Sequence, residues 1–137
     1  MNKTIFKAYD IRGIYPTDVN ESIAILVAQA VSRMFPEGEI VIAYDARHGS
    51  IELAATAETE IRNQALVLNK KITVRNVGMA STPMFYFLVN HFKAVGGIMI
   101  TASHNPKNYN GMKVVKAGAE MVPGVEVLEF ITKNNLA

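Results

Sequence analysis

The run EIVIAY, residues 39–44, constrains the fold more than any other stretch of the chain. Its apolar residues follow one another without the alternation of a strand that has one wet face, so both faces must be covered. The flanking sequence supplies helices to do this. Upstream, Asp18 with Glu21 resembles a capping box, and Ile23, Val27, Ala30, Val31 and Met34 recur at helical spacing as far as Pro36, Glu37 and Gly38. Downstream, the polar turn from Asp45 to Gly49 leads to Ser50 as a candidate cap. Leu53, Ala57, Ile61, Ala65 and Leu68 then form the inner stripe of a second helix.

The cycle repeats. KITVRNV at 71–77 reads as a strand, and Thr82 before Pro83 as a helix start with Met84, Phe85, Leu88, Val89 and Phe92 on its apolar side. GGIMIT at 96–101 is the next strand. GMKVVKAG at 111–118 follows it too closely for a crossover helix and should pair with it antiparallel. VEVLEFI at 125–131 suits either a strand or a terminal helix, and helix is the preferred reading. This order predicts one domain over 1–137, a three-layer α/β/α sandwich with a mixed, mostly parallel sheet.

Several functions are disfavoured. No apolar run reaches the roughly 18 residues of a membrane span, and the opening MNKTIFKAYD lacks a signal-peptide core. With no cysteine there is no disulfide, thiolate metal site or cysteine nucleophile, which fits a cytoplasmic protein. The net charge is +2 and the lysines are scattered, so no nucleic-acid partner is expected. Gly96 and Gly97 begin a strand instead of following one, and no P-loop occurs, which argues against a standard nucleotide site. His48 and His91 have no partners at metal-ligand spacing, and no Asp-rich or His-Glu cluster could hold a metal by itself.

Ligand loops in such sheets lie beyond the carboxyl ends of strands, where 45–50, 78–82 and 101–110 should fall. In the last of these, Ser103 has two readings. It is an ordinary turn residue beside Asn105 and Pro106, or a nucleophile and phosphate carrier; no G-x-S-x-G elbow supports a hydrolase. Lys113, ten residues on, is either a solvent-facing strand lysine or a cation brought to Ser103 by the hairpin. In FKAYDIRG, Arg12 offers a donor fork suited to phosphate and Tyr9 can orient an oxygen; a structural bridge between Asp10 and an arginine is the alternative. Asp45 with Arg47 reads as a self-paired brace supporting a site.

Taken together, FKAYDIRG, YDAR at 44–47, GMASTPMFYF and GGIMITASHNPKNYNGMK resemble the first domain of the alpha-D-phosphohexomutase superfamily. The first and last are most similar to the bacterial phosphomannomutase/phosphoglucomutase branch, and the GTDGIRG-like start of phosphoglucosamine mutases is missing. The chain departs from the family at Tyr44, where a glycine is common, and in HGSIEL, which is shorter than the usual Ser-Ser-Pro run.

The resemblance implies an enzyme that moves a phosphoryl group between the 1 and 6 positions of hexose phosphates, through a bisphosphosugar. It places the phosphoserine at Ser103, a general acid/base at Lys113, and assisting roles at His104, Tyr9 and Arg12. Asn105, Asn110, Asp45 and Arg47 become loop-shaping or contact residues. It also implies Mg2+, bound here only through the phosphate on Ser103, with the remaining ligands in a second domain. On this expectation the chain is the phosphoserine domain of a four-domain enzyme and is inactive alone. The competing expectation is a noncatalytic module that binds a phosphosugar or a protein; glucosamine phosphate is the alternative substrate class.

Overall fold

A computed structural model describes all residues from Met1 to Ala137. The strands are β1 (Ile11–Ile14), β2 (Gly38–Tyr44), β3 (Ile72–Met79), β4 (Gly96–Ile100), β5 (Tyr109–Lys116) and β6 (Glu120–Val122). The helices are α1 (Glu21–Met34), α2 (Ser50–Val67), α3 (Thr82–His91) and α4 (Gly124–Lys133). The sheet runs in the order β1-β5-β4-β2-β3, with β6 also paired to β5. The α/β/α sandwich and mixed sheet are as expected, but parallel pairing is confined to β3-β2-β4; β1-β5, β4-β5 and β5-β6 are antiparallel. The parallel share is therefore smaller than the helix–strand alternation predicts.

The continuous apolar run of β2 has its expected cause. Ile40 and Ile42 enter a large core beneath α1, α2 and α4, while Val41 and Ala43 enter a smaller one beneath α3. The glycine pair opening β4 serves the same two-sided burial. A Cβ on Gly96 would lie 2.3 Å from the Phe35 ring, and one on Gly97 2.8 Å from the Phe85 ring. Each glycine thus seats a phenylalanine on its own face of the sheet.

Helix starts differ from the sequence expectation. Asn20 caps α1, accepting from the Ile23 amide at 3.2 Å, while Asp18 accepts from the Asn2 side chain. Gly49, in the left-handed region at φ 86°, precedes α2, because the Ser50 hydroxyl is turned onto Asp45. Ser81 caps α3, one residue before Thr82. The short strands β1 and β6 have no periodic signature of their own; the terminal helix is as preferred. No helix is long and apolar enough to cross a membrane.

Candidate active site

The loops after β2 and β4 leave the same end of the sheet, because these strands are parallel neighbours. β5 returns antiparallel from the second loop, so 101–108 forms the arch of a β4–β5 hairpin. Ser103 sits in this arch with a left-handed backbone, φ 54°, which costs a non-glycine residue about 1 kcal/mol or more. Its amide donates to Thr101 Oγ1 at 2.9 Å, and the Asn105 amide closes a turn on Ala102 O at 3.0 Å. Ser103 is half-buried, and none of the side-chain hydrogen bonds involves its Oγ.

The strained arch is held from the β2 side. Arg47 Nη2 donates to Ser103 O and Asn105 O, both at 2.7 Å, and Nη1 to Pro106 O at 2.7 Å and Tyr109 O at 3.2 Å. Arg47 Nε faces Asp45 Oδ2 at 3.4 Å. Asp45 Oδ1 in turn accepts from the Arg47 amide at 3.0 Å and from Ser50 Oγ at 2.7 Å. Fully buried Asn110 completes the junction, donating to His48 O and Ser50 Oγ, each at 3.0 Å.

Cations approach from the other side. Asp10 is only 3% exposed, and its carboxylate takes Arg12 Nε and Nη2 together with Lys113 Nζ, the last at 3.0 Å. The β1–β5 register explains this meeting. Ile11 pairs with Met112, so the residues just before and after them, Asp10 and Lys113, come opposite each other. Arg12 Nη1 also donates to Asn105 Oδ1, which ties the cation cluster to the serine arch.

Donor counting shows what these groups have left. An arginine has five N–H donors and a lysine three. Arg12 directs three of its donors at Asp10 and Asn105, and Lys113 directs one at Asp10. Each keeps two for a ligand. These four donors suit an oxyanion, and through Asn105 Arg12 is tied to the arch that carries the unengaged Ser103 hydroxyl.

Tyr9 and His104 are both exposed and make no side-chain hydrogen bond; Tyr9 is 70% exposed. Asp10, which holds Lys113, was legible only as a partner for an arginine. Tyr15 carries no motif signal in the sequence, yet its Oη donates to Glu21 Oε1 at 2.7 Å while its ring meets His48 edge-on at 5.4 Å. The bond to Glu21 and partial burial push the Tyr15 pKa up to about 12.

A divalent cation needs several oxygen ligands. Asp10 is taken by Arg12 and Lys113, and Asp45 by Ser50 and Arg47. Nowhere do three or more His, Asp or Glu side chains come together to hold a metal. The residues of this chain do not form a magnesium site by themselves.

The three-layer α/β/α domain thus carries a serine arch tied through Asn105 and Arg12 to a buried carboxylate that also holds Lys113. The chain belongs to the family described as phosphoglucomutase/phosphomannomutase, alpha/beta/alpha domain I, whose model matches residues 3–134. It is 38% identical over 122 residues to phosphohexose mutases of Xanthomonas campestris, covering 89% of this chain and 26% of that protein. It is 39% identical over 124 residues to a phosphomannomutase of Klebsiella pneumoniae, covering 88% of this chain and 73% of the relative. A crystal structure of a phosphoglucomutase/phosphomannomutase family protein from Burkholderia thailandensis superposes with a TM-score of 0.81 at 29% identity, covering 97% of this chain and 30% of that one. The chain thus spans about a quarter of the length of the Xanthomonas relative.

Proposed function

We propose that the chain is the phosphoryl-carrying domain of a hexose-phosphate mutase of the phosphomannomutase/phosphoglucomutase type, with Ser103 as the carrier. The observation that carries this reading is the free Ser103 hydroxyl on an arch tethered to a cation cluster with unused donors. A serine phosphate is close to dianionic at neutral pH, and Arg12 and Lys113 would compensate that charge. Phosphoryl transfer depends on alignment and charge compensation more than on a strong nucleophile.

In the first half-reaction the P–O bond to Ser103 breaks and one forms to the free hydroxyl of a hexose monophosphate. That hydroxyl loses its proton to a base, the departing Ser103 Oγ takes one from an acid, and the product is a bisphosphohexose. After reorientation its other phosphoryl group passes to Ser103 Oγ, which returns its proton to the acid, while the released sugar oxygen takes one back from the base, and the isomerised monophosphate leaves. Lys113 and His104 are the proposed proton carriers. Tyr9 would reach the sugar from the exposed face, while Asn105, Asn110, Asp45 and Arg47 shape the loops. The sugar contacts and the carboxylates for magnesium would lie outside these residues.

The protein that carries this domain should convert mannose 1-phosphate and glucose 1-phosphate to their 6-phosphates, and S103A should abolish turnover while remaining folded. The 137-residue chain alone should show no turnover. Full activity in S103A overturns the assignment. Hexose-phosphate binding with no Ser103-dependent turnover would favour a noncatalytic phosphosugar-binding module.

A further inference from the structure

Arg12 and Arg47 flank the same arch and differ in what they have left to give. Arg12 retains free donors, whereas four N–H groups of Arg47 are spent on loop carbonyls and the fifth faces Asp45. The cleft beside it, about 500 Å³ and lined by Asp45, Arg47, His48, Asn105 and Lys107, looks at first like an anion site. Its arginine, however, has no donor to offer an anion. We propose that Arg47 is the positioning residue of the serine arch: it fixes the backbone in which Ser103 reacts and takes no part in binding the ligand. This rests on the reading of Ser103 as the phosphoryl carrier.

The carbonyls it collects lie on both limbs of the arch, Ser103 and Asn105 on the outgoing limb and Pro106 and Tyr109 on the return. One planar group therefore sets the spacing of the limbs. It also holds the carbonyl of the one residue in the arch with positive φ. The guanidinium is itself fixed. Asp45 orients it, and the Asp45 amide donates to Ile100 O at 3.0 Å, which ties the anchor to the β2–β4 pair. Lysine cannot replace this arrangement, because three donors on one nitrogen cannot address four carbonyls in a plane. A misplaced nucleophile lowers the rate of transfer more than it weakens binding.

Amide hydrogen exchange on the 137-residue chain tests the structural half of the proposal. In R47K, exchange at Asn105 and Tyr109 should accelerate about ten-fold or more, while Ile98 in β4 and Val114 in β5 stay within about two-fold. In R47A, added guanidinium should slow the two loop amides again. Unchanged loop exchange in R47K overturns the proposal. So does global unfolding of R47K, since Arg47 would then maintain the whole fold and not the arch.

Kinetics on the protein that carries the domain test the other half. R47K should lower kcat about ten-fold or more with KM for hexose phosphate within about two-fold, whereas R12K should raise KM. A rise in KM for R47K at constant kcat would make Arg47 a ligand residue and overturn the proposal. The exchange measurement involves no phosphoryl transfer, so it can fail while Ser103 remains the carrier. Conversely, an active S103A removes the carrier reading and leaves the exchange result intact.

Discussion

Asp10 Oδ2 and Lys113 Nζ stand 3.0 Å apart although 103 residues separate them in the chain. The same buried carboxylate takes the Arg12 guanidinium, so one anion holds two cations in place before any ligand arrives. Without it two like charges would face each other at the edge of the sheet, partly out of water. D10N preserves the shape and removes the charge. We expect it to lower unfolding free energy by about 2 kcal/mol, less than for a fully buried triad because Arg12 and Lys113 are partly exposed. Urea denaturation of the chain checks this, and an unchanged midpoint would show that the pairings contribute nothing net.

Asn110 joins β5 to the 48–50 stretch at a fully buried point, and Gly111 N donates to its Oδ1 at 2.8 Å. N110A should leave the His48 carbonyl and the Gly111 amide without these partners. The expected cost is about 2–3 kcal/mol in the same denaturation measurement. A loss below about 0.5 kcal/mol would mean that water replaces the side chain.

Gly111 lies in β5 opposite Arg12 of β1. A Cβ there would fall 2.0 Å from the carbonyl oxygen of Ile11, and that atom belongs to the backbone and cannot rotate away. G111A should therefore displace β1 and cost about 3 kcal/mol. Amide exchange should show Ile11 and Gly13 losing protection before β2 does. Wild-type stability in G111A would contradict the β1–β5 register.

Tyr15 gives a pH dependence. Its pKa is raised from 10.0 to about 12 by the hydrogen bond to Glu21 and by burial, so the native state retains the phenol proton that the unfolded chain releases. The stabilisation is fully present below pH 10 and is lost as pH rises through about 12. Y15F should lack this alkaline slope and cost about 1 kcal/mol near neutrality. Parallel stability–pH curves for wild type and Y15F between 10 and 12 would contradict the assignment.

How much of this was legible depends on the distance between partners. The unbroken apolar run of β2 implied two covered faces, and its alternate residues enter two cores. Helix caps shifted by a residue or two because several hydroxyls and carboxylates suit a cap equally, and tertiary partners decide among them; Asp18 goes to Asn2, Ser50 to Asp45. Strands of three or four residues, β1 and β6, carry no periodic signal and take their places by pairing with β5. At the site, a brace formed by Asp45 and Arg47 could be read from their spacing. Its object, carbonyls some sixty residues downstream, depends on β2 and β4 being neighbours. The Lys113–Asp10 contact likewise requires the β1–β5 register.

The most direct test is to find where the phosphoryl group resides. The protein that carries this domain should be incubated with glucose 1,6-bisphosphate and magnesium, then digested and mapped by mass spectrometry. The expected result is a phosphoryl group on Ser103, discharged by added hexose monophosphate and absent from S103A. Turnover with Ser103 unmodified throughout, or a transferable phosphoryl group on another residue, would contradict Ser103 as the carrier.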